Sequence, residues 1–205
     1  MNEMKKEHIR AIGNFLAYYY TDLNYIKNFQ DFKEGTLPLK DTDYVKKNIG
    51  TFYSFLIEYK VTRNFTKGAA DKLLKKTLRW VNSNNADDVD RFTEMLKVET
   101  NLTRRENMTS LASKILFLNS PWTIIPMDKR TRNAFKQKAN NYSLYKKNLD
   151  NFRQTNESII KKCLFVVKPL AMVIENDFKG KVKDINTIRE NRIIDKLLMY
   201  TGKNA

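Results

Sequence analysis

"SLASKILFLNSPWTIIPMDKRTRNAF", residues 110–135, holds an apolar run with one lysine inside it, a turn bounded by two prolines, and an aspartate that opens a strongly basic segment. The apolar spacing predicts a helix over about 105–118, with Met108, Leu111, Ile115 and Leu118 along one face. Lys114 stands beside that face, between Leu111 and Leu118 and next to Phe117. A lysine so placed either lays its stem on apolar surface with the ammonium in water, or is partly desolvated and becomes a better nucleophile. Pro121 and Pro126 stiffen the connection that follows. Asp128 then occupies the position where a helix needs a cap, and the next helix is expected over 128–138.

The same spacing of threes and fours continues on both sides. With only six glycines and four prolines, the chain reads as nearly all helix, at roughly 4–29, 42–62, 67–83, 86–100, 105–118, 128–138, 143–178 (broken) and 186–201. The expectation is an all-α protein of about eight to ten helices in a single domain, 1–205, with a loose subdivision into 1–100 and 101–205. "GTLP" at 35–38 separates the first two helices, Thr66 can cap the third, and Asn85 can cap the fourth, with Asp87 and Asp88 in its first turn. Asp87, Asp88 and Asp90 could alternatively hold Mg²⁺, although acidic residues in a first turn are the common capping arrangement. Phe15, Tyr18, Tyr19 and Tyr20 read as the core and rim of a helix, and Trp80 as core. Pro169 is expected to kink or interrupt its helix. Cys163 reads as a buried small hydrophobe.

Composition excludes several chemistries. Apolar residues make up 41 % and charged ones 30 %, which is globular rather than disordered. No run reaches the roughly 18 to 20 apolar residues of a membrane span, and the charged start "MNEMKKEHIRAIGNF" has no secretory core, so a cytoplasmic protein with no membrane partner is expected. One cysteine allows no internal disulfide, and with a single histidine it cannot build a zinc site of His and Cys alone. Neither phosphate-binding glycine motif occurs, and a catalytic triad would depend on His8, for which no partner nucleophile is marked. No cofactor and no metal are expected. The net charge of +15 points the other way, toward a polyanion. From Lys129 to Lys168 there are eleven Lys or Arg against Asp150 and Glu157, a net +9.

"ASKILFLNSPWTIIPMD", a helix leading through a proline turn to P-x-D and another helix, resembles the helix-hairpin-helix DNA glycosylases. It looks closest to a bacterial group with the 8-oxoguanine DNA glycosylase fold, and "RIIDKLLMYTGK" (192–203) is similar to the ending of that group. The strong part of the resemblance covers about 25 residues. It implies extrusion of a damaged base into a pocket. It further implies that Asp128, which matches the family aspartate, stabilises developing charge on the sugar or shuttles protons. A lysine nucleophile is implied as well. Lys114 is the lysine at hand, two residues after Ala112, whereas the family lysine precedes that alanine by two and falls on Ser110. The glycine-rich hairpin of the family is replaced by "RRENMTSLA", so either phosphate is held instead by Arg104, Arg105, Lys129, Arg130 and Arg132, with Lys136 beside them, or the DNA-binding hairpin has degenerated. Trp122, in the turn, could wedge into or stack on a base, or simply pack.

The expected function is therefore a monomeric DNA-binding protein of glycosylase type, acting on duplex DNA, with Asp128 and Lys114 as catalytic candidates. Two alternatives stand beside it. One is a non-catalytic helical nucleic-acid binder, and the other a basic interaction or defence protein whose partner is an acidic protein.

Overall fold

The structure, a computed structural model, describes residues 4–35, 52–61, 69–99 and 108–202. Among these residues there are nine helices and no strand: α1 (Lys6–Lys33), α2 (52–58), α3 (Ala70–Val81), α4 (Val89–Val98), α5 (Thr109–Asn119), α6 (Lys129–Asn133), α7 (Tyr142–Thr155), α8 (Glu157–Asn176) and α9 (Ile185–Thr201). The all-α expectation holds. None of these helices is long and apolar enough to cross a membrane. The chain divides into two compact units, one of residues 1–23 with 125–205 and one of residues 24–124.

In the 24–124 unit, α3 and α4 pack on α5. Residues 111–119 of α5 are buried on every side, not only on the face that the spacing marks. A helix apolar on most of its surface belongs inside a core, and over residues 111–119 the sequence of α5 meets that condition except at Ser113, Lys114 and Asn119. The helix α4 is capped by Asp88, which accepts the Arg91 backbone N–H at 2.9 Å, rather than by Asn85. Asp87 accepts hydroxyl bonds from Ser120 and, at 3.1 Å, from Thr123. It thereby ties the start of α4 to the turn after α5. These carboxylates are thus engaged in capping and tethering, and no group of metal-ligating side chains occurs among the described residues. Trp80 is half-buried against Phe92. Thr66 and most of "GTLP" lie outside the described residues.

In the other unit α9 is the central element, with α6 and α8 against it and α7 against α8. Ile188, Ile193, Ile194, Leu197 and Leu198 give it an apolar core face, and buried charge joins it to its neighbours. Glu175 of α8 takes a two-pronged ion pair from Arg189 (2.7 and 2.5 Å) and a hydrogen bond from the Tyr19 hydroxyl (2.7 Å). Burial and that carboxylate push the Tyr19 phenol far above its ordinary range. Arg192, only 1 % exposed, places Nε 2.7 Å from Asp22 of α1 and Nη1 3.1 Å from Asp195. Lys196 lies beside Asp195 and over the Tyr18 ring, and desolvation with the Arg192 charge lowers its pKa. Phe15 and Tyr19 are core while Tyr18 and Tyr20 are exposed, as their places on α1 predict.

The long segment 143–178 breaks at Asn156, not at Pro169. Asn156 ends α7 by donating both its backbone N–H and its side-chain amide to the Phe152 carbonyl, at 3.0 Å each. Pro169 lies inside α8 on the exposed side, and the helix continues through it to Asn176. A proline removes one i to i−4 bond, whereas buried Cys163, Val167 and Ala171 hold α8 to the unit on both sides of that loss. The same burial pushes the Cys163 thiol up to about 11.

Gly202 closes α9 against α6. A Cβ at this position would stand 1.9 Å from the Arg130 carbonyl oxygen and 2.9 Å from its carbon, both backbone atoms. Neither can rotate away, so Gly202→Ala has to push α6 off α9. The expected cost is about 1–3 kcal/mol, read as a lower urea midpoint with unchanged slope.

Candidate nucleic-acid interface

The candidate surface is built from the sequence around Asp128. Ile124, Ile125 and Met127 are buried, and two tyrosines of α7 hold the backbone between them. The Tyr142 hydroxyl accepts the Ile125 N–H at 3.1 Å and donates to the Ile125 carbonyl at 3.0 Å. The Tyr145 hydroxyl, fully buried, donates to the Pro126 carbonyl at 3.3 Å. Burial first, and the Asp195 carboxylate next among the groups that raise it, keep the Tyr145 phenol well above its ordinary pKa, so it stays a donor.

This anchoring fixes where α6 begins. Asp128 caps α6: its Oδ1 accepts the backbone N–H groups of Arg130 (2.8 Å) and Thr131 (3.1 Å), while the Thr131 hydroxyl accepts the Asp128 N–H (2.9 Å). It is a reciprocal capping box with the carboxylate at the front and threonine in the third helical position. The Asp128 side chain is half-exposed and held in direction by two backbone donors, which satisfies the geometric condition for a carboxylate that must meet a ligand in one orientation.

The helix itself is shorter than the expected 128–138. It ends at Asn133, and the next residues wrap around the buried Gln137, whose amide donates to the carbonyls of Ala139 (2.8 Å) and Asn141 (2.9 Å) and accepts from Asn148 (3.1 Å). Lys136 takes a left-handed backbone (φ 52°) at this corner. Arg132 closes it by donating to the Lys138 carbonyl at 2.7 Å. The loop is therefore a fixed scaffold with basic side chains on its outside.

Asp128, Lys129, Arg130, Arg132 and Lys136 are thus brought together on α6 and the corner after it. Lys138, Lys146 and Lys147 extend the group, and the signal for them is the run of sequence itself. From Lys129 to Lys147 there are seven Lys or Arg and no acidic residue. Six of the seven are exposed and Arg132 is half-buried. Among the described residues none of the seven is ion-paired with a carboxylate. Such a face keeps a large net positive charge even beside Asp128, and counterions balance the rest.

Lys114 and Trp122 belong to the other unit. Lys114 is 8 % exposed, and its Nζ donates to the Tyr59 carbonyl at 2.9 Å, 6.0 Å from the centre of the Tyr59 ring. Tyr59 directly follows α2, so the ammonium serves a carbonyl at a helix C-terminus, where a cation is favoured. Its stem is enclosed and its head is bonded, an arrangement between the two expected from the sequence. Trp122 is half-buried in the turn after α5. Arg104 and Arg105 lie outside the described residues.

Neither a protein-family model, nor a curated protein, nor a solved structure matches the chain.

Proposed function

We propose that the chain binds duplex DNA through the face formed by α6, the corner after it and the start of α7, in the manner of a DNA glycosylase. The observation that carries this is the set of seven basic side chains over Lys129–Lys147 with no acidic residue among them and no carboxylate partner among the described residues. Cations left unpaired on a rigid scaffold bind phosphates by releasing counterions. Positions fixed by Gln137 and Arg132 lose less freedom on binding than a flexible tail would.

Base excision is the chemistry that Asp128 suits. The glycosidic bond to an extruded base breaks, water adds to the anomeric carbon, and the base leaves with a proton. A fixed carboxylate at the edge of a phosphate-binding face can stabilise the positive charge that develops on the sugar. The hydrogen bond from Lys114 to the Tyr59 carbonyl favours a monofunctional reaction, without an amine nucleophile. The same hydrogen bond also favours a second reading, a binder without chemistry.

Asp128→Asn separates them. Asparagine remains a good cap, so stability is expected to fall by less than about 1 kcal/mol and DNA affinity to stay within about twofold. Release of a modified base from a duplex should then disappear, as read on single-turnover gels. Base release at the wild-type rate from Asp128→Asn would remove Asp128 from the chemistry. No release from the wild-type protein on 8-oxoguanine, uracil or other lesions would leave the binder.

A further inference from the structure

Helix α8 carries two apolar faces. Cys163, Val167 and Ala171 point into the unit and are buried. Phe165, Val166, Leu170, Met172 and Val173 point outward and are between 48 % and 80 % exposed, with exposed Pro169 among them. At 100° per residue these six outward positions form one continuous stripe over residues 165–173, with Lys168 at its edge. Together the five larger side chains leave on the order of 600 Å² of apolar surface in water, at the upper limit of what a monomer exposes in one patch.

We propose that this stripe is the interface of a two-fold dimer, in which the α8 helices of two copies lie antiparallel and cross at Pro169. A surface without charge is complementary to itself, which is what a two-fold contact requires. Two such stripes together hide about 1,200 Å², the lower bound for a specific, stable contact. The antiparallel sense follows from what flanks the stripe. Lys161 and Lys162 stand at its N-terminal end. A parallel pair would align the helix dipoles and bring the two Lys162 side chains together at one end, Lys161 being paired with Glu157 at 2.6 Å. The antiparallel pair carries the lysines to opposite ends and opposes the dipoles. With the axis at Pro169, Phe165 of one copy faces Val173 of the other, and Val166 faces Met172. The large ring therefore meets the small side chain and the stripes can close without a gap. Because α7 leads directly into α8, the dimer would also carry two copies of the basic face. The contact itself does not depend on what that face binds.

Sedimentation equilibrium of the full chain from 1 to 100 μM tests the proposal. A mass of twice 24.2 kDa is expected at the upper end. Phe165→Glu/Val173→Glu, and separately Phe165→Ser/Val173→Ser, should raise the dimer dissociation constant at least 100-fold with an unchanged circular dichroism spectrum, because all four substitutions are on exposed positions. Pro169→Cys should cross-link copy to copy under mild oxidation, and Phe165→Cys should not. A monomer at every concentration would overturn the proposal. So would a dimer that both double variants leave intact. Cross-linking through Phe165→Cys equal to that through Pro169→Cys would overturn the antiparallel crossing. Flotation of a monomer with phosphatidylserine vesicles would likewise overturn the proposal and assign the stripe to a lipid surface.

Discussion

Arg192→Met is expected to destabilise the protein by about 3–5 kcal/mol, a large share of the 5–15 kcal/mol that holds a domain together. Arg192 is 1 % exposed and stands between Asp22 and Asp195. Removing it leaves Asp22, also buried, without its cation and sets two carboxylates toward each other. Desolvation of those charges, already incurred on folding, then loses its main compensation, with only Lys196 remaining beside Asp195. The ion pair is not itself expected to add much stability, because a well-packed apolar pair can replace it. Asp22→Leu/Arg192→Met should therefore regain more than half of the loss, since Asp195 keeps Lys196 3.6 Å away. Urea unfolding of the two variants beside the wild type gives both numbers. A double variant as unstable as the single one would show that α1 and α9 need the charges themselves.

The second large effect lies on the opposite kind of surface. Lys129→Gln/Arg130→Gln/Lys146→Gln/Lys147→Gln removes four exposed cations, none of which holds the fold together. Its stability should stay within about 0.5 kcal/mol of the wild type, as for ordinary surface changes. DNA affinity should fall by roughly 10³-fold at 0.1 M salt, and the slope of log affinity against log salt should lessen by about 3.6, at 0.9 per phosphate contact. Four glutamines placed instead at Lys72, Lys75, Lys179 and Lys183, exposed and away from this run, make the same change in net charge. An equal loss of affinity from that control would show that net charge, not the face, attracts DNA.

Much of the fold was legible because α-helices announce themselves through local chemistry. Asp128 stands before "KRTRN", and a carboxylate in front of a helical run is a cap on its own side chain's reach alone. Phe15 and Tyr19 against Tyr18 and Tyr20 follow from turn geometry in the same way. What failed depends on contacts between distant residues. Pro169 reads as a kink or an interruption, and the interruption does not occur, because Cys163, Val167 and Ala171 pin α8 across it. Asn156, which looks like any polar helix residue, is where the chain turns. Asp88 takes the cap in place of Asn85, while its neighbour Asp87 bonds to Ser120 and Thr123, 33 and 36 residues away, contacts that no local pattern encodes.

The candidate site divides along the same line. The run of cations from Lys129 to Lys147 is visible in the sequence, since charge density is additive and needs no fold. Its scaffold is not: Gln137 folds the corner by three side-chain hydrogen bonds that no spacing rule contains. Lys114 was ambiguous for a physical reason. A lysine at the edge of an apolar helix can reach water or a carbonyl, and only the position of Tyr59 decides which. Gly202 ends α9 with a φ that any residue can adopt, and the need for glycine appears only where α9 meets the Arg130 backbone.

Fluorescence anisotropy of a labelled 20-base-pair duplex, titrated with the wild-type protein between 50 and 300 mM salt, tests the central claim most directly. If five to seven of the cations meet phosphates, log affinity should fall linearly against log salt with a slope of about −4.5 to −6.3. An affinity that is absent at 50 mM salt, or that does not change over that range, would contradict a DNA-binding face and leave the basic residues to an acidic protein.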